Sequence, residues 1–178
     1  MIIGVAGYKG SGKDTIGTVL TNSFNFKKLS FAQPIKDLVH DTFGIDKNIL
    51  QGNGGERIFR ELEMPEWFNL TPRQLLQKIG MSFRNELHED IWIKILENKY
   101  KKQKDHVVIT DVRFPNEVKM IEKHGFVLAV KRPGYNGDGH ESEHALDNHV
   151  FKYVFDNNGS EELLYSKVYN FLKDRLKI

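Results

Sequence analysis

The stretch Gly7-Tyr8-Lys9-Gly10-Ser11-Gly12-Lys13-Asp14-Thr15 carries the plainest chemistry in this sequence. Glycines at 7, 10 and 12 let the chain turn tightly enough for successive backbone N–H groups to point inward at phosphate oxygens. Lys13 adds a mobile cation for β- and γ-phosphates, and the helix that opens there adds the partial positive charge of its N-terminus. The spacing of Gly7, Gly12 and Lys13 fits the Walker A pattern with one departure. Asp14 stands where Ser or Thr usually meets Mg2+, and Thr15 follows one place late. Asp14 is therefore the candidate metal ligand, directly or through water, and Thr15 a candidate phosphate contact. With Gly10, Ser11, Gly12 and Lys13 they make a site expected to take ATP.

A second signature is Thr110-Asp111-Val112-Arg113-Phe114-Pro115-Asn116-Glu117, which follows an apolar run that reads as a buried strand. An acid at the carboxyl end of a parallel strand beside the first faces the phosphates, where it holds Mg2+ through water or positions a phosphoryl acceptor. Asp111 is that acid. Arg113 leaves the same strand end and suits a bridge between donor and acceptor phosphates, where charge builds on the transferring oxygens. The same residues also fit a plain Asp-Arg turn capping the next helix. Asn116 and Glu117 belong to that helix start, with Glu117 also able to accept from a sugar hydroxyl or base edge. Other cations are Lys36, Arg73, Arg84 and Arg132. A monophosphate acceptor carries about two negative charges and suits guanidinium pairing, although each cation alone also reads as solvated surface. Trp92 fits stacking on a base or a place in the core.

After Pro133 and Gly134, residues 135–144 are polar and Gly-rich, and the region 132–150 is expected to be a lid that carries Arg132. Histidines at 140, 144 and 149 raise the idea of zinc, but the loop offers no Cys, and its acids read as solvated or lid-closing groups. The amide of Asn157, in Asp156-Asn157-Asn158-Gly159, suits adenine or simply a turn into the last helix.

These groups need a frame that brings strand ends together. Strands are expected over residues 2–6, 28–31, 106–110, 126–131 and 153–156, with helices over 13–23, 35–43, 116–124 and 161–176 between and after them. Such alternation argues for a parallel sheet covered on both faces, with ligands at the strands' carboxyl ends. The long stretch between the second and third strands has helical patterns at 71–79 and 89–100 and reads as an inserted helical region, about 34–104. No repeat or linker marks a boundary, so 178 residues read as one domain. The longest apolar runs fall far short of the ~20 residues of a membrane span. The apolar start reads as a strand and not a signal peptide. With no cysteine there is neither a disulfide framework nor a Cys-based zinc site, which suits the cytoplasm. A net charge of +2 gives no case for binding polymeric nucleic acid.

In order and spacing, several of these segments resemble the bacteriophage deoxynucleoside monophosphate kinases, within the wider P-loop nucleoside monophosphate kinase group. They are the Gly10 to Thr15 loop, Pro34-Ile35-Lys36-Asp37, the run from Arg73 to Gly80, Trp92, Asp111-Val112-Arg113 with Glu117, Lys131-Arg132-Pro133-Gly134, and Asn157 to Leu163. The resemblance implies a P-loop kinase fold with a five-stranded sheet in the order 2-3-1-4-5, and ATP and Mg2+ as cosubstrates. It also implies acceptor contacts from Lys9, Lys36, Arg73, Gly80, Trp92, Asp111, Arg113 and Glu117. The expected setting is the cytoplasm, that of the host if the protein is phage-encoded, with nucleotides as partners and a monomer or homodimer as the assembly. Two other readings share the loop: a kinase of another small phosphorylated acceptor such as dephospho-coenzyme A, or a nucleotide-binding NTPase that transfers to water.

Overall fold

The computed structural model describes residues 1–52, 54–137 and 139–177. The chain divides into two compact units, one made of residues 1–30 and 96–178, the other of 31–95. The first holds a five-stranded parallel sheet, β1 (Ile2–Ala6), β2 (Lys27–Leu29), β3 (Val107–Val112), β4 (Gly125–Lys131) and β5 (Tyr153–Asp156), in the order β2-β3-β1-β4-β5. The order agrees with the expectation from sequence. Helices α1 (Lys13–Phe24), α6 (Pro115–Glu122), a short α7 (Glu141–His144) and α8 (Glu161–Leu176) belong to the same unit.

The central strands are buried over nearly their whole length because both faces are covered, as a parallel sheet requires. Ile3 and Val5 of β1 pack with Ile16, Val19 and Leu20 of α1 and Leu164, Val168 and Leu172 of α8, all buried. Gly4 points the other way, toward Ile121 of α6, whose Cδ1 would lie 2.7 Å from a β-carbon at this position. Each such aliphatic side chain contributes about 1.5–3 kcal/mol by leaving water.

The pairing of β1 with β3 matters most for the site. Ile2 pairs with Val107 and Gly4 with Ile109, but Ala6 pairs with Val112, so β3 carries one extra residue near its carboxyl end. The strand therefore runs to Val112, two residues past the expected end, and Asp111 lies within the strand and not after it.

The second unit is helical: α2 (Gln33–Phe43), α3 (Lys47–Gln51), α4 (Pro72–Glu86) and the beginning of α5 (Ile91–Tyr100). Thr71 and Gln74 start α4 with a reciprocal capping box, Thr71 Oγ1 accepting from Gln74 N at 3.1 Å and Gln74 Oε1 from Thr71 N at 2.9 Å. This fixes the start where Pro72 suggests it, and the helix then runs past the expected residue 79 to Glu86. Ile35, Val39, Ile45, Leu50, Leu75, Leu76 and Trp92 form the unit's own buried cluster. Asn53 of the expected insert and Asp138 of the expected lid lie outside the described residues.

Candidate active site

The phosphate loop leaves β1 at Gly7 and enters α1 at Lys13. Gly7, Gly10 and Gly12 all have positive φ, and the space around Gly10 and Gly12 is closed to a side chain. A β-carbon on Gly10 would sit 2.5 Å from the Tyr135 ring, and one on Gly12 would sit 2.8 Å from Asn157 Nδ2. The loop is held from behind. Asn157 Nδ2 donates to the Ser11 carbonyl at 2.9 Å in a buried setting, while Asn157 N donates to Lys131 O at 2.7 Å. Ser11 is itself buried, and its Oγ has no hydrogen-bond partner among the described residues.

Lys13 Nζ reaches back across the loop and donates to the carbonyls of Gly7 and Tyr8, each at 2.6 Å. Burial, then the positive charge of Arg113, push its pKa down to about 8, against the opposing pull of Glu143, Asp14 and Asp111. Asp14 projects into solvent, its side chain 90% exposed, with Lys28 Nζ at 3.4 Å. Thr15 Oγ1 donates to Glu161 Oε1 at 2.9 Å. Gly12, Thr15, Arg132, Asn157, Gly159 and Glu161 line a cavity of about 170 Å³ beside the loop.

The end of β3 supplies the second half of the site. Asp111 Oδ2 accepts from Ser30 Oγ at 2.7 Å, so a serine at the end of β2 orients the acid. Arg113 pairs through Nη1 with Glu143 of α7, and the other oxygen of Glu143 accepts from the Lys9 backbone N–H at 3.0 Å. Burial opposes the charge of Glu143, but the Arg113 guanidinium, the Lys9 N–H and the Lys13 ammonium hold its carboxyl below the usual range. Glu117 is buried, and its carboxylate accepts from the backbone N–H groups of Arg113 at 2.7 Å and Phe114 at 3.0 Å at the start of α6.

Arg132 and Asp147 tie residues 132–150 to the loop by two further contacts. Arg132 stacks on the Tyr135 ring at 4.7 Å, with its Nη1 3.4 Å from the Gly10 carbonyl. Tyr8 Oη donates to Asp147 Oδ1 at 2.5 Å, and the Asp147 hydrogen bond is the main reason the Tyr8 pKa is pushed up to about 12. His144 Nδ1 lies 2.8 Å from the other Asp147 oxygen.

The structure thus gathers Lys9, Gly10, Ser11, Gly12, Lys13, Asp14, Thr15, Asp111, Arg113, Glu117, Arg132 and Asn157 at the carboxyl ends of the strands of one unit. The remaining candidates belong to the helical unit. Lys36 Nζ donates to Gln51 Oε1 at 2.7 Å, Arg73 Nε to both oxygens of Glu61 at 2.7 and 2.9 Å, and Arg84 sits in the last turn of α4. Trp92 is buried, its ring stacked on Phe83 at 5.3 Å and its Nε1 donating to the Gly80 carbonyl at 3.0 Å. Gly80 faces Ile35, whose Cδ1 would lie 3.1 Å from a β-carbon there. The reading from residues singled out neither Glu143 nor Ser30 nor Tyr135. The one local cue to Glu143 is its place behind His140, which caps α7 by accepting from Ser142 N.

Among the described residues no three His, Asp, Glu or Cys side chains gather to cage a metal. Mg2+ in phosphoryl transfer needs no such cage, because it keeps waters and binds one or two carboxylates plus substrate phosphates. The solvent-open Asp14 and the oriented Asp111 fit that mode. No helix among the described residues is long and apolar enough to cross a membrane.

Comparison with known proteins agrees with this fold. The fold is similar to that of the dephospho-CoA kinase from Campylobacter jejuni. That structure superposes with a TM-score of 0.54 over 99% of this chain and 97% of its own, at 18% identity, a likeness of fold alone. A protein of Acanthamoeba polyphaga mimivirus, provisionally assigned as a deoxynucleotide monophosphate kinase, is 32% identical over 94% of each chain. The deoxynucleoside-5'-monophosphate kinase of Escherichia phage T5 is 26% identical over 69% of this chain and 72% of its own. The family described as deoxynucleotide monophosphate kinase matches residues 55–168, and the chain belongs to that family.

Proposed function

We propose that the protein transfers the γ-phosphoryl group of ATP, with Mg2+, to the phosphate of a deoxynucleoside monophosphate, giving ADP and the deoxynucleoside diphosphate. One observation carries this reading beyond family membership. The phosphate loop and the end of β3 follow adjacent parallel strands, and Arg113 and Asp111 stand close enough to Lys13 to act on its charge.

In the transfer, an acceptor phosphate oxygen attacks the γ-phosphorus, and the bond to the β-γ bridging oxygen breaks to release ADP. The loop amides and Lys13 hold the donor phosphates, and Lys13 meets the charge that develops as the bond breaks. Arg113 bridges donor and acceptor phosphates, and Arg132 approaches them from the side of the Gly10 carbonyl. Asp14 and Asp111 would hold Mg2+, whose charge would offset that of the phosphates. Asn157 keeps the loop in shape and borders the space beside Thr15 that suits the nucleoside of ATP. Residues 132–150 act as a lid that excludes water, so that transfer outruns hydrolysis.

Lys36, Arg73 and Arg84 are the charged acceptor contacts of the helical unit. Gly80 and Trp92 act with them by shaping that unit, since the Trp92 ring and N–H are engaged in its core. In the sheet-bearing unit, Lys9 and Glu117 are further acceptor contacts. The protein works as a monomer or homodimer in the cytoplasm that hosts nucleotide synthesis.

The deciding experiment is coupled ADP release with each common deoxynucleoside and ribonucleoside monophosphate, with dephospho-coenzyme A as a further arm. Release that depends on a deoxynucleoside monophosphate is expected. ADP release that no acceptor stimulates would make the protein an NTPase, and stimulation by dephospho-coenzyme A alone would move it to another acceptor class.

A further inference from the structure

Among the acids of residues 132–150, Glu143 stands apart. Its side chain is 1% exposed, whereas that of Asp147 is 39% exposed and Glu141 lies at the surface. Burying a carboxylate this fully is unfavourable unless donors satisfy it, and the donors come from two other segments. Arg113 Nη1 arrives from the end of β3, thirty residues away in sequence, and Lys9 N–H from the phosphate loop, 134 residues away. Glu143 thus touches both halves of the site.

The chain is shaped to deliver it. His140 caps α7, and Gly137 turns the segment with a φ of 85°. A β-carbon on Gly137 would lie 3.0 Å from Glu143 Cβ and 3.3 Å from the Tyr8 ring, so this close approach to the loop favours glycine on both counts. The Tyr8–Asp147 hydrogen bond closes the same approach from the far side of α7.

Two roles are open to a buried glutamate on an arginine that meets phosphate. It either occupies the seat of a phosphate and must be displaced, or stands behind the arginine and aims it. The geometry favours the second. A guanidinium has five N–H donors in a fixed fork, the pair engages Nη1, and 31% of the Arg113 side chain faces solvent while Glu143 does not. A ligand arriving from solvent meets the arginine and not the carboxylate.

We propose that Glu143 is a positioning residue for phosphoryl transfer, holding the Arg113 guanidinium and the Lys9 turn of the phosphate loop in one frame so that Arg113 faces the transferring phosphates. This rests on the kinase reading above for the identity of those phosphates. The pairing itself does not.

The test uses the full chain with Glu143→Gln, Glu143→Asp, Arg113→Ala and the double variant Glu143→Gln with Arg113→Ala. Glutamine keeps an acceptor for Lys9 N–H but removes the charge that fixes the guanidinium. Glu143→Gln is expected to lower kcat by about ten- to a hundredfold, the range seen when a group that orients a ligating residue is lost. ATP affinity measured without acceptor should stay within about twofold, and Glu143→Asp should recover part of the rate. In the Arg113→Ala background the same substitution should change kcat by less than about twofold, because the group it aims is gone. Equal losses in both backgrounds would overturn the proposal. So would unchanged kcat with tighter binding of adenosine-pentaphosphate-deoxynucleoside, the sign of a carboxylate that had been blocking the phosphate seat.

A second readout is independent of turnover: the 15N resonance of Arg113 Nε, assigned by its loss in Arg113→Ala. A dispersed, slowly exchanging signal is expected in the wild type and in Glu143→Asp, collapsing to the position of solvated arginines in Glu143→Gln. A signal that stays dispersed in Glu143→Gln would show that Glu143 does not fix the arginine. A wild type that phosphorylates no deoxynucleotide would instead sink the kinase reading, with the resonance still deciding the pairing.

Discussion

Arg113 and Arg73 are both expected to meet phosphate, and each is held by a glutamate, but the two pairs are built in opposite ways. Glu143, opposite Arg113, has a side chain 1% exposed; Glu61, opposite Arg73, has one 42% exposed. In the first pair, water cannot reach the carboxylate to replace a lost arginine. Breaking such a pair usually costs about 3–5 kcal/mol. In the second, solvent takes over much of what the partner supplied, and such pairs contribute about 0–1 kcal/mol. The difference separates two tasks. Groups that meet charge developing during the reaction gain by being fixed beforehand. A cation that first receives a dianionic acceptor has no such need, because the acceptor's own charge completes its partnering.

If this contrast is right, the largest losses come from the fixed side. Lys13→Ala should lower kcat by roughly a hundred- to a thousandfold with the fold intact, since Lys13 bonds only loop carbonyls and contributes nothing to the apolar core. Near-normal turnover at saturating substrates would mean that the loop has been misread. Asp111→Asn should follow with a loss of about ten- to a hundredfold in kcat and little change in ATP affinity, as expected of a group that acts on a metal through water. Asparagine still accepts from Ser30, so the local structure should hold. An unchanged response across a magnesium titration would return Asp111 to a capping role. Arg132→Ala should slow transfer by about tenfold with both substrates present while leaving ATP binding alone nearly unchanged. Hydrogen exchange in residues 132–150 should fall when a bisubstrate analogue binds, and protection already complete in the free protein would argue against a lid.

Lys13 gives a sharper view of the fixed side through pH. Its pKa in the free protein is lowered to about 8, chiefly by burial and next by Arg113. Bound phosphates favour the charged form and raise that value again, so ATP binding above pH 8 takes up a proton. Affinity should weaken by about fivefold between pH 8 and 9. Calorimetry at pH 8.5 in buffers of different ionisation enthalpy should report proton uptake, and Lys13→Ala should abolish it. The sign for folding is the reverse. Between pH 8 and the ordinary lysine value the unfolded chain holds more protons, so Lys13 makes the free protein more stable as pH rises there.

What could be read from sequence follows how local each feature is. The phosphate loop is contiguous, and its glycines, lysine and flanking strand state their purpose within residues 2–15. The sheet order came with the family resemblance, and the apolar runs placed all of its strands. The end of β3 was misjudged because the extra residue between Ile109 and Val112 is defined only by the pairing with Gly4 and Ala6 of β1. Helix α3 was missed because a five-residue helix between Asp46 and Gly52 has too little length to show a period. Glu143 was legible only as one acid in a polar, Gly-rich run. Its burial depends on Lys9 and Arg113, and no window around residue 143 contains either. Asn157 was read as an adenine contact or a turn, and the structure spends its side-chain amide on the Ser11 carbonyl.

The smallest effect belongs to the pair whose carboxylate is open to solvent. Glu61→Gln removes the charge that meets Arg73 Nε, but the Glu61 side chain is 42% exposed and shares its site with solvent. Screening by water and salt limits what Glu61 contributes, so stability should change by less than about 1 kcal/mol. The KM for the acceptor should move by at most about fivefold with kcat unchanged, the pattern of a group that affects binding and not transfer. The direction carries the information. Glu61 competes with an incoming phosphate for the same guanidinium, so its removal should lower KM if Arg73 meets the acceptor. A raised KM would mean that Glu61 aims Arg73 as Glu143 aims Arg113, and the contrast between the two pairs would fail. An unchanged KM together with a change at high salt alone would place Arg73 outside acceptor binding, leaving Lys36 and Arg84 to supply the helical unit's charge.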